Sequence, residues 1–156
     1  MLIADVAGRY TDLVTTVFSS TIAMKAWFAT AALALAFVQV TTAARIYGRL
    51  HFLPERGPAV ARLHRWSGRI AFLCTLPVAF HCIFILGFRT TSPRVVAHCI
   101  LGSFVYGVFV VKIFFVHDRL HPRWVVPVMG GLMASVLAGL WATSALWYFT
   151  NVHFGF

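Results

Sequence analysis

The stretch LHRWSGRIAFLCTLPVAFHC at residues 63–82, followed by SPRVVAHCILGSFVYGVFVVK at residues 92–112, decides the fold. Each is an apolar run long enough, as a helix, to cross a hydrocarbon core, which takes about 20 residues. Two further runs qualify, so the expected spans are 26–46, 66–88, 95–116 and 125–149, each bounded by Arg, His or Pro. Pro77 lies inside the second span and should kink it. The fold class expected is all-α: an integral membrane four-helix bundle over residues 24–150, preceded by an amphipathic segment at 1–23 and followed by a tail at 151–156.

Composition points the same way. Of 156 residues, 60% are apolar and 11% charged, with mean hydropathy +0.84. Soluble chains carry roughly 25% charged residues, so too little polar surface exists here to coat a globule in water. A soluble enzyme, a disordered tail and a disulfide-stapled scaffold are excluded. The net charge of +9 would suggest nucleic acid in a soluble chain, but here the basic residues punctuate apolar runs. That pattern fits topology signalling and contact with anionic lipid. Cys74, Cys82 and Cys99 sit inside apolar stretches without a C-x-x-C or C-x-x-C-H motif. Covalent haem attachment and a cysteine zinc site are not expected.

At the N-terminus, Ile3, Val6, Tyr10, Leu13, Val14 and Val17 recur at helical steps, with Asp5, Arg9 and Asp12 between them. The charges interrupt any signal-peptide core. The pattern reads as an amphipathic helix lying in the membrane interface or docking on another subunit.

Topology follows from the cations. Arg45, Arg49, Arg56, Arg62, Arg65, Arg69, Lys112, Arg119 and Arg123 flank one side, against Arg9, Lys25, Arg89 and Arg94 on the other. The richer side is expected in the cytoplasm, which puts both termini outside, in a bacterial plasma membrane.

The histidines carry the candidate chemistry, because ionisable groups inside spans are costly and mark cofactors, proton paths or ligand sites. His81, near the end of the second span, and His98, near the start of the third, lie roughly 5–11 Å from the same boundary at 1.5 Å per residue. Consecutive antiparallel helices with a short connection should be neighbours. Two imidazoles at that depth can clamp a haem iron from both sides and suit it to electron transfer. Gly102, one turn beyond His98, leaves room for a flat macrocycle or for a helix neighbour. His64, with Gly68 four residues on, and His117 give a second candidate pair at the other end. The spacings of 17 and 19 residues, however, offset the two ligands of each helix by about 100° around its axis. One haem, or two, is therefore expected, with His64 and His117 as the second pair or part of a quinone site. Arg65 and Arg69 are candidates for holding haem propionates or a quinone headgroup.

These histidine-and-glycine segments resemble the four-helix transmembrane cytochromes b. That group includes ascorbate-reducible di-haem cytochromes, ferric-reductase-like membrane domains and the cytochrome b of quinol-oxidising complexes. The segments also resemble a family of small actinobacterial membrane proteins. The resemblance spans residues 63–149 and implies haem b and electron transfer. The 17 and 19 spacings depart from the two-heptad ligand pattern of the quinol-oxidising cytochromes.

The remaining histidines, His51, His121 and His153, read as solvated or lipid-contacting. Trp27, Trp124, Trp141, Trp147 and Tyr148 read as an aromatic belt. The function expected is a haem b membrane electron-transfer subunit or anchor within a larger redox complex. It would have no catalysis of its own and would pass electrons between a respiratory quinone pool and a partner redox protein. The alternative is a cofactor-free subunit that organises a membrane complex. A transporter is disfavoured because no acidic residue lies in any span. An embedded hydrolase is disfavoured because neither a serine–histidine–carboxylate set nor H-E-x-x-H occurs there.

Overall fold

The computed structural model describes residues 2–50, 57–118 and 122–152. His51, Arg56, Arg119, His121 and His153, with the tail beyond Val152, lie outside the described residues. Among the described residues there are six α-helices: α1 (Leu2–Thr15), α2 (Thr21–Ile46), α3 (Pro58–Phe80), α4 (Pro93–His117), α5 (Val125–Thr143) and α6 (Ala145–Asn151). A π-helical turn, His81–Leu86, continues α3. Among the described residues four units are long and apolar enough to cross a membrane: Thr21–Ile46, Pro58–Leu86, Pro93–His117 and Val125–Asn151. The chain is an all-α membrane protein. Its large apolar side chains face outward, Phe37 at 67%, Val110 at 66% and Phe114 at 64% exposure. That surface is tolerable only where lipid is the solvent.

Several helices start earlier than their hydropathy suggests, because capping chemistry sets the start. Ser20 Oγ accepts from Ala23 N (3.1 Å) and Ser92 Oγ from Val95 N (3.4 Å), each satisfying an orphan first-turn donor. Pro58 and Pro93 occupy the first turn of α3 and α4, where a missing N–H costs nothing. Gly57 and Pro58 therefore open α3 eight residues before residue 66.

α2 packs on α3, α4 on α5, and α2 on α5 and α6. Small residues permit the close approach: Ala23 and Ala26 meet Ala145 and Tyr148, and Ala36 meets Val105, Val136 and Leu137. α3 and α4, expected to pack as neighbours, instead meet through side chains. Phe72 stacks on Phe109 at 4.3 Å and 11°, and Tyr106 Oη donates to Thr75 O (3.2 Å) and Oγ1 (3.1 Å). The space between these two helices holds the candidate site.

Pro77 lies inside α3, and one turn later the helix changes register. Without an N–H, Pro77 leaves the Leu73 carbonyl without its usual partner, and one turn later the chain runs as a π-helix beginning at His81. The turn stops at Gly87, whose φ of 65° and ψ of −177° belong to a region that side chains other than glycine rarely enter. Gly87→Ala is expected to cost about 1–3 kcal/mol through backbone strain alone, since a Cβ there meets nothing within 4 Å. A lowered melting temperature in detergent with unchanged helical circular dichroism checks this.

α1 docks on its own chain. Val14 is buried, and Tyr10 packs against Phe80 (5.0 Å) and His81 (5.8 Å) while its hydroxyl donates to Pro77 O (3.0 Å). Burial, then the neighbouring Cys82 thiol, raise the Tyr10 phenol above its usual pKa, which keeps it a neutral donor. Leu13 and Val17 remain exposed on the far side. Of the expected aromatic belt, Trp124 is exposed, but Trp141 and Tyr148 turn inward. Trp141 Nε1 donates to Thr30 Oγ1 (2.9 Å) and Tyr148 is 3% exposed, because the alanines of α2 leave room for both rings.

Candidate ligand cavities between the third and fourth helices

Two cavities flank the Phe72–Phe109 stack and the Tyr106–Thr75 link. One, of about 820 Å³, is lined by His98, Gly102, Cys82 and Trp141, with Lys25 and Arg94 among its basic groups. The other, of about 420 Å³, is lined by His64, Gly68, Arg65, Arg69 and Lys112. Both fall in the range of small-ligand sites, about 300–1,000 Å³, and both are walled mainly by apolar side chains.

The hydrogen bonds around His98 favour one tautomer. Thr143 Oγ1 lies 2.8 Å from Gly139 O and 3.1 Å from Leu140 O, so its single proton is directed at its own helix. It can then only accept from His98 Nδ1, 3.0 Å away. In that arrangement Nδ1 carries the proton and Nε2 keeps its lone pair, with no hydrogen bond to Nε2 among the described residues.

His64 repeats the device on α3. Thr42 Oγ1 donates to Val38 O (2.6 Å) and accepts from His64 Nδ1 (2.8 Å), which leaves Nε2 of His64 unprotonated. Gln39 Nε2 donates to the His64 carbonyl and to Ser67 Oγ (2.7 Å), fixing the first turns of α3 against α2. Metal-bound histidines characteristically donate their second ring N–H in this way, which orients the ring and raises its basicity.

The other candidates are placed differently. His81 is 4% exposed, lies under the Tyr10 ring, and its Nδ1 has no hydrogen-bond partner among the described residues. Its neighbour Cys82 lines the larger cavity; His81 does not. His117 is exposed, bonds the Ile113 carbonyl of its own helix through Nδ1 (2.9 Å), and lies off the smaller cavity. Among the described residues each cavity therefore has one histidine on its wall, His98 or His64, and neither expected pair meets on a cavity wall.

The glycines divide as well. A Cβ on Gly102 would meet only Leu140 at 3.9 Å, so that wall is open. A Cβ on Gly68 would stand 3.1 Å from Gln39 Oε1, so Gly68 serves the approach of α2 as well as lining the cavity. Arg65 and Arg69 stand at the smaller cavity, Arg69 lying 5.1 Å from the Trp66 ring centroid.

Sequence reasoning missed four residues here. Thr42 and Thr143 lie 22 and 45 positions from the imidazoles they orient, and no local pattern links them. Lys112 reads in the sequence as a topology charge, although a lysine within an apolar helix is itself a signal. Arg94 bridges from α4 to the carbonyl of Thr143 (2.6 Å) and lies over Trp147 (4.6 Å). That carbonyl is free because the helix breaks at Ser144, between α5 and α6.

Among the described residues no group of three or more His, Cys, Asp or Glu converges as a site for a bare metal ion. No curated protein and no solved structure matches the chain. A family model matches residues 4–156, and the chain belongs to that family, DUF6529, a family of unknown function.

Proposed function

We propose that the protein is a haem b-binding membrane electron-transfer subunit, with its haem in the His98 cavity. The observation that carries the reading is the His98–Thr143 pair: an imidazole with Nδ1–H committed to a back-bonded hydroxyl and Nε2 left as an electron-pair donor beside a cavity of about 820 Å³. The residues present fit the group. His98 would hold the iron, and Gly102 would leave space beside it. Lys25, Arg89 and Arg94 would face its two carboxylates, and the apolar wall would exclude water.

His81, whose buried Nδ1 has no hydrogen-bond partner among the described residues, lies off this cavity, so His98 is the ligand that the described cavity wall supplies. Haem iron, when bound, accepts and releases one electron at a time, at a potential set by its axial ligands and burial. The protein's part is to fix His98 in one tautomer, keep the pocket dry and balance the carboxylates with cations. With so little polar chain of its own, it would exchange electrons with a lipid-soluble quinone and a partner redox protein.

A dithionite-minus-oxidised spectrum of the detergent-purified protein, with pyridine haemochrome quantitation, tests the reading. About one haem b per chain is expected. A colourless, folded preparation would instead favour the cofactor-free organising subunit.

A further inference from the structure

We propose that the smaller cavity, beside His64, binds one amphiphile with an anionic head, a carboxylate or a phosphate, whose counter-charge is Lys112. Lys112 lies five residues before the end of α4, roughly 8 Å inside the helix. Its ammonium stands 4.0 Å from where a Cβ on Gly130 would be, so it reaches across the cavity to α5, at a position where α5 carries no side chain. Among the described residues it has no hydrogen bond and no ion pair; the one salt bridge there joins Asp5 and Arg9 in α1.

Among the described residues no carboxylate lines this cavity. The chain's four acidic residues are Asp5, Asp12, Glu55 and Asp118, and all lie outside the four spans. An ammonium held in low dielectric without an anion is costly, so such residues face a partner, a water-filled space or a ligand. Arg65 and Arg69 add two more cations to the same cavity, while Phe72, Phe109, Met133 and Leu137 supply an apolar wall. A cationic end and an apolar wall in a space of about 420 Å³ match a charged head on a hydrocarbon body. The inference does not depend on haem in the His98 cavity.

Three probes that differ only in their heads test it: hexadecanoate, hexadecyl phosphate and hexadecanol. Each is titrated into the full chain in a neutral maltoside detergent and followed by native mass spectrometry and melting temperature. One anionic probe per chain is expected, bound tenfold or more tighter than hexadecanol. A preference between carboxylate and phosphate identifies the head, and equal binding supports the shared chemistry. Lys112→Met should lower anion affinity about tenfold and leave hexadecanol unchanged, while Lys112→Arg restores most of the loss. The arginine variant keeps the test open should the methionine variant fail to fold. Equal affinity for hexadecanol and the anions overturns the proposal. So does an unchanged Lys112→Met variant, which would mark a lysine that simply extends to the membrane surface. A second haem b per chain, lost in His64→Ala, would also overturn it by filling the cavity with another ligand.

Discussion

Replacing His98 with alanine is expected to take haem content from about one per chain to near zero, with the Soret band and the sharp reduced bands lost together. The reason is that, among the described residues, His98 supplies the one Nε2 lone pair that the His98 cavity receives from a histidine on its wall. His64→Ala acts on the other cavity and should leave that haem in place. Thr143→Val provides a graded control. It keeps the ligand and much of the shape but removes the acceptor for Nδ1–H, so the imidazole loses its orientation and its tautomer preference. Loss of such a supporting partner typically costs 10–100-fold in metal affinity. Thr143→Val should therefore bind haem that dissociates during purification, while Thr143→Ser should retain it. Pyridine haemochrome assays of all four variants after identical washing provide the measurement. Full haem in His98→Ala would remove His98 as the ligand even if haem itself is present.

The second large effect concerns packing. Gly68→Leu should destabilise the bundle by about 1–3 kcal/mol or more, because even a Cβ at that position already stands 3.1 Å from Gln39 Oε1. Gln39 cannot simply swing away, since its amide holds both the His64 carbonyl and Ser67 Oγ. Three further carbons would force α2 and α3 apart along one of the closest helix contacts in the fold, and would turn His64 away from Thr42. Gly68→Ala, which adds only the Cβ, should cost clearly less. Pairing Gly68→Leu with Gln39→Ala should recover part of the loss, because contacting residues couple in a double-mutant cycle. Melting temperatures of the wild type, the two single variants and the double variant measure the coupling. Strict additivity would mean that the Gly68–Gln39 contact does not limit the approach of the helices.

The sequence by itself determined the class of the protein. Hydropathy and length are local properties, so four apolar runs and a charge-interrupted N-terminal helix were legible without any contact information. The spans agree with the helices to within a few residues, except where Ser20 and the Gly57–Pro58 start lengthen α2 and α3. The positions of His81 and His98 along their helices were legible for the same reason, since they are counted along the sequence. Direction was not. Each residue turns about 100° around its helix, and the π-helical turn from His81 changes that count, so His81 lies under Tyr10 while Cys82 lines the cavity.

Tertiary structure alone decided which imidazoles meet a cavity, and which ring nitrogen is left free. Those outcomes depend on Thr42 and Thr143, which neighbouring helices bring into place from 22 and 45 residues away. It also decided the meaning of Lys112. In the sequence it is one more cation near a membrane boundary; in the fold it is an ammonium turned toward Gly130 on the wall of an apolar cavity. Helix rotation and register make that difference, and they are set by the packing of small residues across α2, α5 and α6, not by the composition of any one helix.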